Sequence, residues 1–380
     1  MKSLAQKTIV LAVSGSIAAV NTIALAHALR RRGAVVQAVM SEAASRIIHP
    51  DALTYATGRE TITALSGMVE HVHYCGDTGI ADLLLIAPCT ANTIGKIAHG
   101  IDDTTVTTFA TTAIGRQMPI VVVPAMHYAM FRHSGVVKNL HTLQDFGITI
   151  INPRIEEEKA KIATTDEIVL YVERELMGAP LAGETVLITS GKCEEPLDDI
   201  RILTTRSSGK MGEEIAYQAF RLGADVIIIH TNQIACVRNR YSDTAASMQN
   251  EVSSVLAKEQ VSIYISAAAI SDFAPVRFQG KIPSGQKRQI SLTPLPKILP
   301  LVIDAGVKTV VAFKLGEDAE HKAQTLFDAG VTLVAANTQE SMGSNTGSYL
   351  LMTRDETQPV TGTKEDIAAV LCDIIIRCRE

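Results

Sequence analysis

Small hydroxyl, amide and glycine residues follow several apolar runs in the first half of the chain. Gly15 and Ser16 follow the run at 8–13, Ser41 follows a second run, and Thr90 and Asn92 follow a third. Backbone N–H groups at a helix N-terminus, together with nearby hydroxyls, bind anions. These residues, with Ser14 and Thr93, therefore predict a phosphate site beside a polar ring edge. Ordinary helix capping explains any one of them well, but it explains their convergence less well.

A second set of charged and hydroxyl residues lies in the other half, within TTRSSGKMG. Arg206, Ser207, Ser208 and Lys210 crowd a predicted helix N-terminus and offer cations, hydroxyls and N–H groups to a phosphate. Capping by serine with a solvated lysine is the ordinary alternative. Asp272 follows another apolar run, where its carboxylate suits a divalent cation on a triphosphate. Helix capping would account for Asp272 equally well.

Histidines supply the candidate acids and bases of the first half. His127 directly follows an apolar run in PAMH, and His71 and His73 lie in EHVHY. A single histidine is more often a surface or core residue than a catalyst. His127 is the stronger candidate on position, because α/β sites form where strands end.

The elements that must position these residues form two halves, each opening with a strand and a Gly/Ser turn. Strands are predicted at 8–13 and 185–189, and a closing helix at 364–377. Ala, Val, Ile and Leu dominate, aromatic residues are 4% and Trp is absent, which suits buried parallel strands. We therefore predict an α/β protein of two doubly wound, Rossmann-like domains, residues 1–178 and 183–380, joined by a turn-prone linker.

Composition excludes several classes of protein. The 380 residues carry a formal net charge of −5 without a long basic run, so nucleic acid is not an expected partner. No run reaches the ~20 apolar residues of a membrane span. The six cysteines lack metal-ligand spacing, and we expect them to be reduced in a cytoplasmic protein. Neither Gly/Ser turn matches the dinucleotide fingerprint, which argues against a nicotinamide dehydrogenase.

The motifs SGSIAA, EHV, APCTANTIGKIAHGI and PAMH together resemble the phosphopantothenoylcysteine decarboxylases across residues 7–165. The resemblance implies a flavodoxin-like domain that binds FMN and removes CO₂ from a cysteine conjugate after its oxidation to a thioaldehyde. It implies His71 as the active-site base, with His73 as the alternative, and His127 as a further catalytic residue. The implied FMN contacts are Gly15, Ser16, Ile17, Ser41, Thr90, Asn92 and Thr93.

The first half departs from many bacterial relatives in its flap, PRIEEEKAKIA, which has no cysteine to donate the final proton. PAMH together with this charged run looks like the archaeal branch of the family. A charged run is usually a solvated loop. Our sharper hypothesis is that it closes over the substrate, with Lys159 or Lys161 gripping phosphate or carboxylate. The residue that donates the final proton is not assigned. The alternative function of the first half is a flavin domain that binds FMN without catalysing decarboxylation.

The second half resembles the phosphopantothenate–cysteine ligase domain over residues 184–353, through SAAAISDF, GKIPS, VAFKLGED and VAAN. The two patterns in this order match a fused, bifunctional coenzyme A biosynthesis enzyme. The resemblance implies an acyl-nucleotide of 4'-phosphopantothenate that the amine of L-cysteine attacks, with Arg206 and Lys210 catalytic and Mg²⁺ on Asp272. The implied nucleotide contacts are Ala268, Asp272, Lys281, Lys297, Phe313 and Asn337, and the implied substrate contacts are Thr205, Ser207 and Ser208.

Departures also occur in the second half. Thr205 replaces a usual asparagine, and Thr325 and Ala329 stand where lysines are expected; Lys314 and Lys322 are the candidates to compensate. CTP is the expected nucleotide, with ATP as the alternative. The family assembles flavin domains as trimers and ligase domains as dimers, so the resemblance implies a homo-oligomer, for which a dodecamer satisfies both symmetries.

Overall fold

The computed structural model describes residues 2–156, 159–285, 287–316, 319–338, 341 and 343–379, without the side chains of residues 155, 156, 159–161 and 319–321. The chain divides into two compact units, Met1–Gly178 and Ala179–Glu380. Each unit holds one main parallel sheet between helices, as expected for α/β domains in which crossover helices cover both faces. The predicted fold class is confirmed.

The first unit contains a five-stranded parallel sheet in the order β2-β1-β3-β4-β5, the flavodoxin-like order. Its strands are β1 Thr8–Val13, β2 Val35–Met40, β3 Leu83–Cys89, β4 Ile120–Pro124 and β5 Thr149–Ile150, followed by the hairpin β6 Arg154–Glu156 and β7 Lys159–Lys161. Its helices are α1 Thr22–Arg31, α2 Glu42–Ser45, α3 Pro50–Thr57, α4 Glu70–Cys75, α5 Ala91–Ala98, α6 Thr105–Gly115, α7 Tyr128–Phe131, α8 Ser134–Asp145 and α9 Thr165–Leu176, with a 3-10 turn at Ile17–Asn21.

Side-chain alternation along β1 explains why both faces of this sheet are buried. Ile9, Leu11 and Val13 belong to one core layer, and Val10 and Ala12 belong to the other. Since successive side chains of a strand point to opposite faces, an unbroken apolar run supplies both layers. In β1 the less buried residue, Thr8, is left to the strand end.

The second unit contains an eight-stranded sheet in the order β12-β11-β8-β13-β16-β17-β18-β19. Its strands are β8 Thr185–Thr189, β9 Glu194–Pro196, β10 Ile202–Thr204, β11 Asp225–His230, β12 Arg238–Tyr241, β13 Ile263–Ser266, β14 Phe273–Pro275, β15 Leu292–Pro294, β16 Thr309–Leu315, β17 Leu333–Asn337, β18 Thr346–Met352 and β19 Thr357–Thr363. Its helices are α10 Lys210–Arg221, α11 Ala245–Lys258, α12 Ile298–Asp304, α13 Ala319–Asp328 and α14 Lys364–Arg377.

The six parallel strands of this sheet follow the Rossmann order, with β8 at the centre. β18 and β19 add an antiparallel edge. Two small hairpins, β9–β10 and β14–β15, lie outside the main sheet. α14 packs against α10, so the last helix of the chain lies beside the first helix of the second unit.

The charged flap of the first unit forms part of the hairpin β6–β7 rather than an irregular loop. Glu157 and Glu158 lie outside the described residues, as do the side chains of Lys159 and Lys161. The proposed grip of a lysine on substrate stays a prediction.

Candidate active sites

The ends of β1, β2, β3 and β4 surround a cavity of about 570 Å³ in the first unit, within the size range of small-molecule sites. It brings together six of the seven predicted FMN contacts, all except Ile17. The residues that line it are Gly15, Ser16, Ser41, Glu42, Ala43, Thr90, Ala91, Asn92, Thr93, Lys96, Thr104, Ala125, Met126 and Met130. Ile17 begins the 3-10 turn beside the cavity and its side chain is exposed.

Several hydroxyls of this cavity also cap helices, so the capping interpretation is confirmed and the predicted contact with a ligand stays a prediction. Ser16 Oγ accepts from Ala18 N at 3.4 Å, and Ser41 Oγ accepts from Ala44 N at 3.2 Å. Thr90 caps α5 in the same way. A hydroxyl that caps a helix keeps its own proton for a second acceptor, because it accepts with a lone pair and donates with the O–H.

Ser14 does not serve the cavity, contrary to the expectation that its hydroxyl joins the cradle. Its hydroxyl is buried, donates to Pro88 O at 2.8 Å and accepts from Thr90 N at 3.0 Å. Ser14 therefore ties the loop after β1 to the end of β3. Both of its hydrogen-bonding functions are used within the protein.

Close packing at Gly15 sets the shape of the cavity. A Cβ at this position would lie 2.5 Å from Ala43 Cβ, which is far inside van der Waals contact. Glycine is therefore required where the loops after β1 and β2 meet. The cavity fits a flavin phosphate and its polar chain: hydroxyls and the exposed amide of Asn92 supply hydrogen-bonding groups in its wall, and the carboxylate of Glu42 is ion-paired with Arg46.

None of the predicted histidines lines this cavity. His127 follows β4 at the same sheet edge, where it precedes α7 and is exposed. His71, on α4, is half-buried and lies edge-on to Phe109 with 6.5 Å between ring centroids. Its Nδ1 is buried and has no hydrogen-bonding partner among the described residues. His73 is exposed, contacts the ring of Tyr74 and lines a different depression.

The second unit has a smaller cavity of about 150 Å³ where β13, β16 and β17 end. It brings together the predicted residues Ser207, Ser208, Lys210, Ala268, Phe313 and Asn337. Residues that the sequence did not assign also line it, namely Lys364, Ser341, Gly343 and Tyr349, together with Lys314, the candidate compensating lysine. A volume of this size suits a phosphate group or a base rather than a whole nucleotide.

Hydrogen bonds hold the polar wall of this cavity. Asn337 Nδ2 donates to Ser341 Oγ at 2.7 Å and to Tyr349 Oη at 3.3 Å. The Phe313 ring lies edge-on to Tyr349, with 6.1 Å between centroids. Burial raises the pKa of Tyr349, so its hydroxyl stays protonated at neutral pH. Asn337 is therefore fixed by its neighbours, and Phe313 offers an aromatic edge to a ligand.

The N-terminus of α10 forms another wall of the cavity. Gly209 precedes the helix with φ of 75° and provides no side-chain cap. A Cβ at Gly209 would lie 2.3 Å from His230 Nε2, and His230 is buried with this nitrogen unpartnered among the described residues. Burial lowers the pKa of His230. Glycine at 209 is thus required both by the left-handed backbone and by the histidine beneath it.

Five predicted residues of the second unit lie away from the cavity wall. Asp272 and Lys297 form an ion pair with each other, and their exposed side chains flank the hairpin β14–β15. No cluster of three metal-ligating side chains occurs among the described residues. Asp272 would therefore supply one carboxylate ligand to a cation, and phosphate oxygens and water would have to supply the other ligands.

The other three are Lys281, which lies in the hairpin β14–β15, and Thr205 and Arg206, which directly follow β10. Lys281 is exposed in the loop between β14 and β15. Asp198 holds this loop against β9–β10, since it accepts from Ile282 N at 3.0 Å and from Arg201 N at 2.6 Å. Thr205 donates to Ala269 O at 3.4 Å, and Arg206 is exposed. No sequence signal marked Asp198 as the residue that positions Lys281.

The Flavoprotein family description matches residues 1–177, and the DNA/pantothenate metabolism flavoprotein C-terminal domain matches residues 181–378. The coenzyme A biosynthesis bifunctional protein CoaBC of Thermococcus kodakarensis is 41% identical, with 98% of this chain and 96% of the relative covered. The protein of the same name from Methanocaldococcus jannaschii is 32% identical, with 97% and 93% covered.

Among solved structures, the FMN-dependent cysteine decarboxylase SpaF matches with a TM-score of 0.39 and 28% identity, covering 44% of this chain and 94% of its own. The two α/β units and their strand-end cavities, with the two family matches, define a flavoprotein fused to a second Rossmann-like enzyme domain. The chain belongs to the family of coenzyme A biosynthesis bifunctional proteins. It is a bifunctional enzyme with a decarboxylase domain and a ligase domain, as predicted. Among the described helices, none is long and apolar enough to cross a bilayer.

Proposed function

We propose that the second unit joins L-cysteine to 4'-phosphopantothenate with CTP and Mg²⁺, and that the first unit uses FMN to decarboxylate the product to 4'-phosphopantetheine. The observation that carries the ligase half is the cavity in which Lys210, Lys314 and Lys364 meet Ser207 and Ser208 at the N-terminus of α10. Such donors stabilise the charge that develops on transferring phosphates. Arg206, Lys281 and Lys297 would add further cations, and Asp272 would exchange Lys297 for Mg²⁺ when a triphosphate binds.

For the decarboxylase half, we propose that Gly15, Ser16, Ile17, Ser41, Thr90, Asn92 and Thr93 hold FMN. When bound, FMN supplies the reversible oxidation of the cysteinyl side chain that allows its carboxylate to leave. We assign the base to His71 rather than His73, because the buried Nδ1 of His71 lacks a partner while His73 is exposed. His127 lies at the sheet edge beside the cavity and would orient substrate.

We further propose that the sites are completed in a homo-oligomer. The support is the exposure of large apolar side chains at the first cavity: Ile17, which begins the 3-10 turn beside it, is 78% exposed, and Met130, which lines it, is 50% exposed. Large apolar side chains exposed at the edge of a cavity are typical of an interaction site. A neighbouring copy would then bring its own residues to the cavity edge, as the resemblance implies for trimers of the flavin domain and dimers of the ligase domain.

The test is a single incubation of the purified full chain with 4'-phosphopantothenate, L-cysteine, Mg²⁺ and either CTP or ATP, with products followed by mass spectrometry. Formation of 4'-phosphopantetheine with CTP supports the whole proposal and makes a flap cysteine dispensable. Accumulation of the cysteine conjugate alone keeps the ligase and removes the decarboxylase. Product with ATP and none with CTP corrects the nucleotide.

A further inference from the structure

Lys364, the first residue of α14, lies in the second-unit cavity although no motif pointed to it. It is only 6% exposed and lines the cavity with Lys210 and Lys314. Lysine is almost never buried unless it is paired. Its side chain makes no hydrogen bond and no ion pair within 4.0 Å among the described residues, although the more distant carboxylate of Glu214 favours its charged form; by contrast, the buried Arg221 of α10 pairs with Glu365 at 3.4 Å. Lys364 is therefore the exception that needs an explanation.

The N-termini of α10 and α14 meet at this cavity and are tied together by one residue. Asn345 Oδ1 accepts from Lys210 Nζ at 2.7 Å, and Asn345 O accepts from Lys364 N at 2.9 Å. The described lining contains three lysines and no carboxylate. The uncapped N-terminus of α10 and the lysines at the starts of both helices thus face one small volume.

The N-terminus of α10 is also held rigidly. Ser190 Oγ donates to Gly209 O at 3.1 Å, and a Cβ at Gly212 would lie 2.2 Å from Ser190 Oγ. The first N–H groups of a helix have no intrahelical acceptor, and Gly209 offers no side-chain cap. These N–H groups are therefore held in position as donors beside the cavity, next to the two lysines.

We propose that Lys364 and Lys210, with the N-terminus of α10, form a phosphate-binding subsite whose ligand is a phosphoryl group of a substrate. The inference rests on the proposed ligase function and adds a binding residue from the last helix of the chain. The phosphoryl group comes either from the nucleotide triphosphate or from the phosphate monoester of the acid. Burial of the Lys364 ammonium, and then the charge of Lys210, lower the pKa of Lys364, and a bound anion relieves both effects.

The experiment compares the full chain with its Lys364→Met and Lys258→Met variants by isothermal titration calorimetry. The probes are inorganic pyrophosphate, CTP and 4'-phosphopantothenate. Lys258 is the matched control, since it is an exposed lysine at the end of α11. Loss of one hydrogen bond to a charged group predicts binding about 10- to 100-fold weaker for Lys364→Met, and a change below about twofold for Lys258→Met.

The probes distinguish the sources of the phosphate. Weakened CTP binding with unchanged 4'-phosphopantothenate binding assigns the subsite to the triphosphate, and the reverse result assigns it to the monoester. The subsite is wrong if Lys364→Met binds all probes as tightly as the wild type, if the control loses as much, or if the wild type binds none. If the wild type binds the probes but forms no amide, the proposed ligase function is wrong and the phosphate-binding subsite is still supported.

A second variant separates binding from folding. Lys364→Arg keeps the charge and is expected to bind the probes within about fivefold of the wild type, since arginine also donates to phosphate. A loss in Lys364→Arg as large as in Lys364→Met would indicate a packing role and would overturn the subsite.

Discussion

The two cavities of this chain occupy equivalent places in two related sheets but offer different chemistry. In the first unit the strand ends supply neutral donors, hydroxyls and an amide, and its only described lining lysine, Lys96, is paired with Asp103 at 2.7 Å. In the second unit the lining lysines face the cavity without a carboxylate among the described lining residues. A bound flavin is a resident group that needs to be held. A transferring phosphate needs its charge stabilised as bonds change.

The same comparison explains why helix capping competes with ligand binding in one unit more than in the other. Ser16, Ser41 and Thr90 cap their helices in the first unit. In the second unit α10 begins at Gly209, which has no side chain to cap with. An uncapped helix N-terminus leaves its N–H groups to a ligand, so the second cavity is built for an anion more directly than the first.

The largest expected effect is on the rate of decarboxylation, and it comes from replacing the proposed base of the first unit. His71→Asn removes the proposed base, and general acid–base catalysis contributes about 10²- to 10⁴-fold to rate. We expect decarboxylation of added 4'-phosphopantothenoylcysteine to fall by that factor, measured as CO₂ release, with ligation unchanged. His73→Asn, at an exposed position, should lose less than about threefold. The opposite ranking of the two variants would transfer the role to His73.

The reciprocal prediction concerns Lys210 in the second unit. Lys210→Met removes a cation from the phosphate site, and loss of one such stabilising donor costs about 10²- to 10³-fold in kcat. Ligation, measured as release of pyrophosphate, should fall by this amount while decarboxylation of the preformed conjugate continues at the wild-type rate. Equal loss of both activities would mean that the two units do not work independently.

A smaller effect is expected where shape rather than charge decides binding. Gly15→Ala would place a Cβ 2.5 Å from Ala43 Cβ, and overpacking of about 1–3 kcal/mol in the cavity wall weakens flavin binding by about 5- to 150-fold. The ratio of flavin absorbance to protein after gel filtration measures the loss. Gly115→Ala is the matched control, because a Cβ at Gly115 meets nothing within 4 Å. Full flavin retention in Gly15→Ala would contradict the role of this close approach.

The sequence predicted the elements that patterns of apolar residues determine. β1 and β8 begin and end where expected, as does α14 at Lys364–Arg377. β12 and β19 were not predicted, because edge strands are polar and exposed and lack the buried apolar run of a central strand; β19 even contains Pro359. In the second unit, local pattern therefore identified the core of the sheet and missed its two edges.

Residues whose roles depend on distant contacts were beyond prediction. Ser14 seemed a ligand residue by its place after β1, but its hydroxyl is used between Pro88 and Thr90. Lys364 was known only as the start of a helix, and packing of α14 against α10 brings it to the cavity. Neither outcome follows from spacing along the chain, since each depends on which loops meet in the folded unit.

The smallest expected effect is on stability, and it distinguishes a binding lysine from a structural one. A largely buried lysine that makes no hydrogen bond or close ion pair costs desolvation in the ligand-free fold, so its replacement by an apolar residue of similar length is neutral or stabilising. Lys364→Met should therefore raise the Tm of the ligand-free chain by about 2–4 °C at neutral pH, for about 1 kcal/mol in a domain of this size. Differential scanning calorimetry without phosphate measures it, with Lys258→Met as the reference.

The pH dependence of that difference follows from the pKa of Lys364, which burial and then the charge of Lys210 lower and which the carboxylate of Glu214 partly restores. Below the folded pKa the lysine is charged in both states and its burial costs the full amount. Between the folded pKa and the unfolded value of about 10.4, only the unfolded chain keeps the proton, so wild-type stability rises with pH. The advantage of Lys364→Met should therefore shrink as pH rises through this window. A Lys364→Met variant that is less stable than the wild type at neutral pH would instead show that Lys364 makes a stabilising contact in the free protein. Lys364 would then no longer support the contrast between a charged ligase cavity and a neutral flavin cavity.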